Sequence, residues 1–226
     1  MAILGLKNTA GNENSKEVFH FPTSKNALII FTRNPELGKC KTRLAATVGD
    51  QSALSIYKFL LAHTEKITRP CSADTYVYYS VQIRDNDIWD PSIFRKKQQE
   101  GENLGLRMHN AFTDVFNMGY QRAIIIGSDM YEMTTQDIEQ GFTALDKNDF
   151  VIGPAQDGGY YLLGMKMIKP SLFKNKTWGA QSVLKNTLKD LELEKVGLLT
   201  EKNDVDIFDD IKDIEVFHKF LSHLKD

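Results

Sequence analysis

Short apolar runs separated by longer amphipathic segments dominate this chain, and that alternation leaves it few folds. Ala27-Leu-Ile-Ile-Phe-Thr32 and Arg122-Ala-Ile-Ile-Ile-Gly127 are nearly continuous apolar stretches, the pattern of strands buried on both faces. Asp74-Thr-Tyr-Val-Tyr-Tyr79 is rich in β-branched and aromatic residues and reads as another strand. Phe150–Gly153, Tyr160–Leu163 and Lys195–Leu199 extend the set. Between them, Ala53, Leu54, Tyr57, Leu60, Leu61 and Thr64, and then Leu104, Met108, Ala111, Phe112 and Val115, recur at helical spacing. Thr134 or Thr135 is placed to cap a helix that carries Ile138, Phe142 and Leu145 inward. A further helix is expected near Gln181–Leu191. Ile207, Ile211, Ile214, Phe217, Leu221 and Leu224 predict a final amphipathic helix. Strands alternating with helices of these lengths give an α/β fold with a mainly parallel, doubly wound sheet.

At 226 residues the chain supports one sizeable core. Residues 1–26 are polar and turn-rich, with Val18, Phe19 and Phe21 as their only anchors, and are read as a partly ordered N-terminal extension. Residues 27–226 are read as a single domain. Lys and Arg number 28 against 30 Asp and Glu, so the net charge of −2 supplies no broad basic surface for nucleic acid. No apolar run approaches the roughly 20 residues of a membrane span. The N-terminus lacks a basic leader and a sustained apolar stretch, so a cytoplasmic location is expected. Cys40 and Cys71 have neither a disulfide framework nor zinc-type spacing, a single bridge being the lesser alternative. His63, His109, His218 and His223 show no mutual ligand spacing, and no Gly-x-Ser-x-Gly is present.

Open α/β sheets bind ligands beyond the carboxyl ends of their strands, which directs attention to four loops. The first, Thr32-Arg-Asn-Pro-Glu-Leu-Gly-Lys-Cys-Lys-Thr-Arg-Leu44, places Arg33, Lys39, Lys41 and Arg43 around Gly38. Such a loop suits a polyphosphate, or is a solvated basic loop; it lacks the Gly-Lys-Ser/Thr ending of a Walker loop. The second ends Gly127-Ser128-Asp129, where an aspartate at a buried strand's end either holds Mg²⁺ or Mn²⁺ or caps the following turn. The third, Gly153-Pro-Ala-Gln-Asp-Gly-Gly159, allows backbone to approach a ligand closely, or forms a plain hairpin turn. In the fourth, Asp204 and Asp206 project to one side of an extended segment, where they complete a metal site unless Asp206 caps the last helix.

Taken in order, Phe31-Thr-Arg-Asn-Pro-Glu-Leu-Gly-Lys-Cys-Lys-Thr-Arg-Leu44, Asn103-Leu-Gly-Leu-Arg-Met108, Ile126-Gly-Ser-Asp129, Gly153-Pro-Ala-Gln-Asp-Gly-Gly-Tyr-Tyr-Leu-Leu-Gly164 and Asp204-Val-Asp206 resemble a bacterial family of small GT-A-like proteins. That family is usually assigned to the glycosyltransferases, within the nucleotide-diphospho-sugar transferase superfamily. The superfamily also holds the molybdenum-cofactor and phospholactate nucleotidyltransferases, whose first loops end in a similar way. The resemblance spans residues 27–212. It implies a GT-A fold, a three-layer α/β sandwich around a mixed, mostly parallel sheet, with a divalent metal (Mg²⁺ or Mn²⁺), a nucleotide or nucleotide-sugar donor and a small-molecule acceptor.

Carried over by position, the resemblance implies nucleotide contacts at Arg33, Gly38, Lys41, Arg43 and Arg107. Metal ligands fall at Asp129 and Asp206, and an acceptor or sugar wall at Asp157, Gly158, Gly159 and Tyr160. Lys41 stabilises charge growing on the diphosphate, and Asp157 orients or deprotonates the acceptor. Metal-dependent glycosyl transfer is the leading expectation and nucleotidyl transfer the alternative. A nucleotide-binding module with little turnover is the reading from another class. Two departures from the family pattern support that last reading: Met130-Tyr131 stands where a small residue and Pro are usual, and Asn103 where Asp is common.

Overall fold

A computed structural model describes residues 22–224, so all of the N-terminal extension before residue 22, including Val18, Phe19 and Phe21, lies outside the described residues. The described chain folds as β1 (Asn26–Thr32), α1 (Thr42–Val48), α2 (Asp50–Thr68), β2 (Asp74–Tyr79), β3 (Phe94–Gln98), α3 (Leu104–Asn117), β4 (Arg122–Gly127), α4 (Thr135–Ala144), β5 (Phe150–Pro154), β6 (Tyr160–Met165), α5 (Val183–Asp190) and β7 (Val196–Leu198). The strands form one seven-stranded sheet in the order β3-β2-β1-β4-β6-β5-β7. Only β6 runs against its neighbours; the remaining pairs are parallel.

Strand alternation sorts the core into two layers. Leu28 and Ile30 of β1 face Leu54, Tyr57 and Leu61 of α2 and Ile138 and Phe142 of α4. Ala27 and Ile29 face the other way, onto Met108, Ala111, Phe112 and Val115 of α3. This is the expected three-layer arrangement. Thr134 provides the cap of α4: its side chain accepts from Asp137 N while Asp137 returns a bond to the Thr134 backbone. Among the described residues, no helix is long and apolar enough to cross a membrane.

Three elements differ from the sequence-based expectation: α1 forms a separate helix from Thr42, where the sequence reads as loop as far as Leu44. β3 was not anticipated, because Phe94-Arg-Lys-Lys-Gln98 carries one apolar residue. It is an edge strand, where charged side chains are tolerated and discourage pairing with other chains. The final amphipathic helix is instead a series of 3₁₀ turns at Phe208–Asp210, Glu215–Phe220 and Ser222–Leu224. Phe208, Ile211, Ile214, Phe217 and Phe220 recur every three residues, the 3₁₀ period, and all pack into a third core cluster. That cluster uses Ala53, Ile56 and Leu60 on the far side of α2 together with Leu44 and Val48 of α1. α2 is thus gripped from both sides, and the C-terminal segment is fixed beside the start of α1.

Parallel pairing sets the carboxyl ends of β1, β2 and β4 along one edge of the sheet. The chain leaves β1 toward β2 and β3, then crosses back through α3 to β4 on the other side of β1. The strand order therefore reverses between β1 and β4, and a crevice opens there.

Candidate active site

Backbone and hydroxyl contacts hold the crevice open. Tyr57, buried on α2, donates from its hydroxyl to Arg33 O at 3.1 Å and accepts from Arg33 N at 2.9 Å. The same oxygen lies 3.2 Å from Ser128 Oγ, so one phenol ties the exits of β1 and β4 together. Asn34, also buried, donates to Gln82 O and accepts from Val81 N, pinning the β2 exit to the first loop. Neither Tyr57 nor Asn34 was singled out from sequence. Tyr57 sits at an apolar position of a helical repeat, which hides its hydroxyl, and Asn34 reads as ordinary loop polarity.

Two compartments meet at this crevice. The larger, about 780 Å³, is lined by Arg33, Lys41, Arg43 and Arg107 together with Tyr57, Ser128, Asp129 and Asp206. The smaller, about 240 Å³, is lined by Asp129, Asp157, Asp204, Tyr160 and Trp178 among largely apolar neighbours. Phe31, Leu104, Gly127 and Asp129 border both. Asp129 therefore stands at the junction, just beyond the end of β4.

Lys41 is the hinge of the larger compartment. It adopts φ 50° and ψ 45°, a left-handed conformation that costs a non-glycine residue about 1–3 kcal/mol. That geometry sends its buried side chain back to Asp129 Oδ2 at 2.8 Å, with Asp206 Oδ1 at 3.8 Å. Arg43, one residue into α1, pairs with the other oxygen of Asp206. Burial disfavours the Lys41 ammonium, but Asp129, Asp206 and Asp204 outweigh that and raise its pKa. Burial likewise pushes the Asp129 carboxyl up, and Lys41 and Arg33 more than offset it, holding Asp129 below the usual carboxylate range.

The fourth loop resolves differently from its two sequence readings. Asp210 is the residue that caps the 3₁₀ turn, accepting from Asp206 N and Ile207 N. This frees the Asp206 side chain to face Lys41 and Arg43. Asp204 lines the smaller compartment and Asp206 the larger, so the pair serves two spaces. Burial and the neighbouring carboxylates Asp157 and Asp129 push the Asp204 pKa up to about 6.

Among the described residues, no three His, Cys, Asp or Glu side chains converge closely enough to hold a metal ion alone. A magnesium-like ion typically takes one or two carboxylates and completes its shell with water and substrate phosphate. Asp129 and Asp206 fit that limited role: both carboxylates present hard oxygens to a cavity with room for phosphates.

The remaining predicted residues separate. Arg107 reaches the larger compartment and is oriented by donating from Nε to Gly101 O at 2.9 Å. Gly38 is exposed, makes its turn at φ 70°, and is not among the residues lining either compartment. Asp157, Gly159 and Tyr160 line the smaller compartment. One oxygen of Asp157 is committed to its own turn, accepting from Gly159 N at 2.7 Å. Gly158 does not face a ligand space: at φ 84°, a Cβ there would stand 2.3 Å from Gln181 O. Its close approach is to the protein's own backbone, where Leu184 N donates to Gly158 O. Trp178, unremarked in the sequence, closes the compartment by packing on Gly105 so tightly that a Cβ would lie 2.8 Å from its Nε1.

Both departures from the family pattern have local explanations. Asn103 is the cap of α3, accepting from Leu106 N at 3.0 Å, a role Asn fills as well as Asp. Tyr131 turns away from the site into the third core cluster, 5.1 Å between ring centroids from Phe217, while Met130 lines the smaller compartment.

Residues 63–180 match the family model DUF2064, described as "Uncharacterized protein conserved in bacteria". The chain belongs to that family. A protein from Desulfovibrio desulfuricans G20, provisionally named a nucleotide-diphospho-sugar transferase, superposes on this DUF2064 chain with a TM-score of 0.78 at 27% identity. The alignment covers 90% of this chain and 95% of that one. The same fold recurs at 12% identity in the 4-diphosphocytidyl-2C-methyl-D-erythritol synthase of Anaerococcus prevotii DSM 20548, with a TM-score of 0.53 and coverage of 89% and 96%. It recurs again, at 12% identity and a TM-score of 0.52, in a Mycobacterium tuberculosis H37Rv protein in complex with manganese, with coverage of 88% and 99%. No curated protein matches the chain in sequence. The fold is that of the nucleotide-diphospho-sugar transferases.

Proposed function

We propose that this DUF2064 protein is a transferase that uses a nucleotide-activated donor, with residues 27–226 acting as one catalytic domain and with glycosyl transfer as its reaction. The observation that carries the reading is the meeting of Lys41 and Asp129, 2.8 Å apart, where a four-cation compartment joins an apolar one at the strand-order reversal. Cations preorganised in a partly enclosed cavity suit a diphosphate whose charge grows as the bond to the donor breaks.

In this reading Arg33, Arg43 and Arg107 hold the donor phosphates, and Lys41 leaves its carboxylates to meet the oxygen that becomes the leaving group. Asp129, supported by Asp206, would hold Mg²⁺ or Mn²⁺. That ion supplies further neutralisation of the diphosphate. The acceptor lies in the smaller compartment against Tyr160 and Gly159. Asp157 keeps one oxygen on Gly159 N and turns the other to the acceptor hydroxyl, whose proton it takes as the new bond forms. The provisional transferase name of the D. desulfuricans protein agrees with this assignment, and the manganese complex of the M. tuberculosis protein agrees with metal use.

The test incubates the protein with nucleotide sugars, and separately with nucleoside triphosphates plus sugar 1-phosphates, with and without Mn²⁺. Glycosyl transfer releases nucleoside diphosphate, nucleotidyl transfer releases pyrophosphate, and a binding module gives thermal stabilisation without either. Asp129→Asn should remove the metal-dependent part of the stabilisation. A ligand at 100 times its dissociation constant stabilises by about 2.7 kcal/mol, so the loss is readily measured. Metal-dependent nucleotide binding undiminished in Asp129→Asn refutes the assignment.

A further inference from the structure

The two compartments differ in charge as sharply as in size. The larger carries Arg33, Lys41, Arg43 and Arg107. Every charged side chain lining the smaller is a carboxylate: Asp129, Asp157 and Asp204. Among the described residues that line it there is no Lys, Arg, His, Asn, Gln, Ser or Thr. Its remaining polar groups are few. The Tyr161 hydroxyl is already donated to Thr200 O, and the Tyr160 hydroxyl reaches only the Met108 sulfur, at 3.8 Å.

We infer that the smaller compartment takes a substrate with an apolar body and a positively charged amine, not an anionic or polyhydroxylated one. The inference rests on the transferase reading above and names the class of its acceptor. Carboxylate oxygens dominate the polar lining, with the Trp178 indole N–H and the Tyr160 hydroxyl as its side-chain donors, which rewards a ligand group that donates hydrogen bonds. Asp157 and Asp204 have no cation among the lining residues, which rewards one that also carries positive charge. A polyhydroxylated ligand buried here would bring more acceptor lone pairs than those two donors can meet, which is costly. A sugar phosphate would set like charge against Asp157 and Asp204. A metal ion does not account for the set either. The three carboxylates share one cavity but, among the described residues, do not converge as ligands of one ion, so Asp157 and Asp204 are left for a cation other than one held on Asp129. Trp178, Tyr160 and Phe31 supply aromatic walls of the kind that attract alkylammonium groups. With a divalent ion on Asp129, Asp204 remains to meet the amine directly, and Asp157, whose oxygen beyond its bond to Gly159 N serves the acceptor hydroxyl, adds its negative charge to the same wall.

Three probes with the same phenethyl body separate charge from shape: phenethylamine, its isostere 2-phenylethanol, and 3-phenylpropionate, titrated calorimetrically into the full chain with and without saturating Mg²⁺. Phenethylamine should bind about tenfold more tightly than the alcohol, the ratio corresponding to one charge-assisted hydrogen bond, and the propionate should not bind. Asp204→Asn and Asp157→Asn should each lower phenethylamine affinity toward that of the alcohol while leaving alcohol binding in place, which also reports an intact pocket. Equal binding of amine and alcohol, no amine binding, amine binding unmoved by both variants, or competitive displacement of the amine by Mg²⁺ overturns the inference. Nucleoside triphosphate binding in the same samples reads the larger compartment separately. Amine preference without nucleotide binding would sink the transferase reading, and nucleotide binding without amine preference would sink only this inference.

Discussion

The Lys41 ammonium sits 2.8 Å from Asp129 Oδ2 and 3.8 Å from Asp206 Oδ1, between the two carboxylates that the proposed reading gives to a divalent cation. The backbone at Lys41 is held at positive φ to bring it there. This side chain neutralises both carboxylates; in the proposed reading, donor phosphates would give it a second partner.

The first prediction follows from that competition. Lys41→Met should weaken nucleotide binding, because the compartment loses its most enclosed cation. It should also tighten Mn²⁺ binding to the ligand-free protein by about tenfold, since a charged hydrogen bond worth roughly 1.5–3 kcal/mol no longer has to be broken. Electron paramagnetic resonance titration of free Mn²⁺ reads the second effect directly. Unchanged Mn²⁺ affinity would mean that Asp129 and Asp206 are not cation ligands.

The second concerns acid stability. Asp74 is buried at the start of β2, accepting from Thr23 N at 2.7 Å and Tyr120 Oη at 2.7 Å, with Arg95 at 3.3 Å. Burial pushes its carboxyl up, but these donors and the guanidinium outweigh it and hold the pKa below the ordinary value. The folded state therefore binds fewer protons than the unfolded state near that value. The stabilisation is complete above the unfolded pKa of about 3.9 and is lost as pH falls through the folded one. Asp74→Ala should cost about 3 kcal/mol at neutral pH, because it strands Arg95. It should also flatten the fall in urea midpoint below about pH 4, the range in which Asp74 protonates. An unchanged acid limb would assign that slope to other carboxylates.

The third separates fold from ligand at the Gly-Gly pair. Gly158→Ala meets both a positive φ and a backbone oxygen at 2.3 Å, so the loop must move away from Gln181. A loss of about 1–3 kcal/mol is expected from the strain. The damage should fall on the smaller compartment, whose wall includes Asp157 and Gly159, and spare nucleotide affinity. Equal loss of nucleotide binding would show that the two compartments are coupled through this loop.

Much of this was legible from residue pattern because the central strands advertise themselves. β1 and β4 are flanked on both sides, so their apolar runs are unbroken, and the loops at their carboxyl ends hold Lys41 and Asp129. The edge was not legible: β3 reads as Arg-Lys-Lys because only one neighbour and one face constrain it. The C-terminal segment misled because a spacing of three and a mixed spacing of three and four share several positions; the structure keeps Ile211, Ile214, Phe217 and Leu221 in the core and adds Phe208 and Phe220. Individual roles were the least legible, since Asp206 and Asp210 compete for one cap and only geometry assigns it to Asp210. Gly158 looked like a ligand contact for the same reason, because sequence shows the freedom of a glycine but not what approaches it.

The last prediction concerns Asp157. Its Oδ1 accepts from Gly159 N at 2.7 Å while the residue lines the same compartment as Asp129 and Asp204. Asp157→Asn retains an oxygen for Gly159 N, so the turn and the compartment wall should survive, with a melting temperature close to that of the parent. What the amide cannot do is take a proton from an acceptor or pair with a cationic one. Donor binding should therefore stand, since the proposed reading places the phosphates at Arg33, Lys41, Arg43 and Arg107, which line the other compartment. Transfer should fall by about 10²–10⁴-fold, the usual cost of losing a general base. Nucleotide affinity and turnover measured on one preparation decide the matter. If turnover is preserved, Asp157 serves its turn alone, and the proton must leave by way of another group in the compartment, with Asp204 the next to vary.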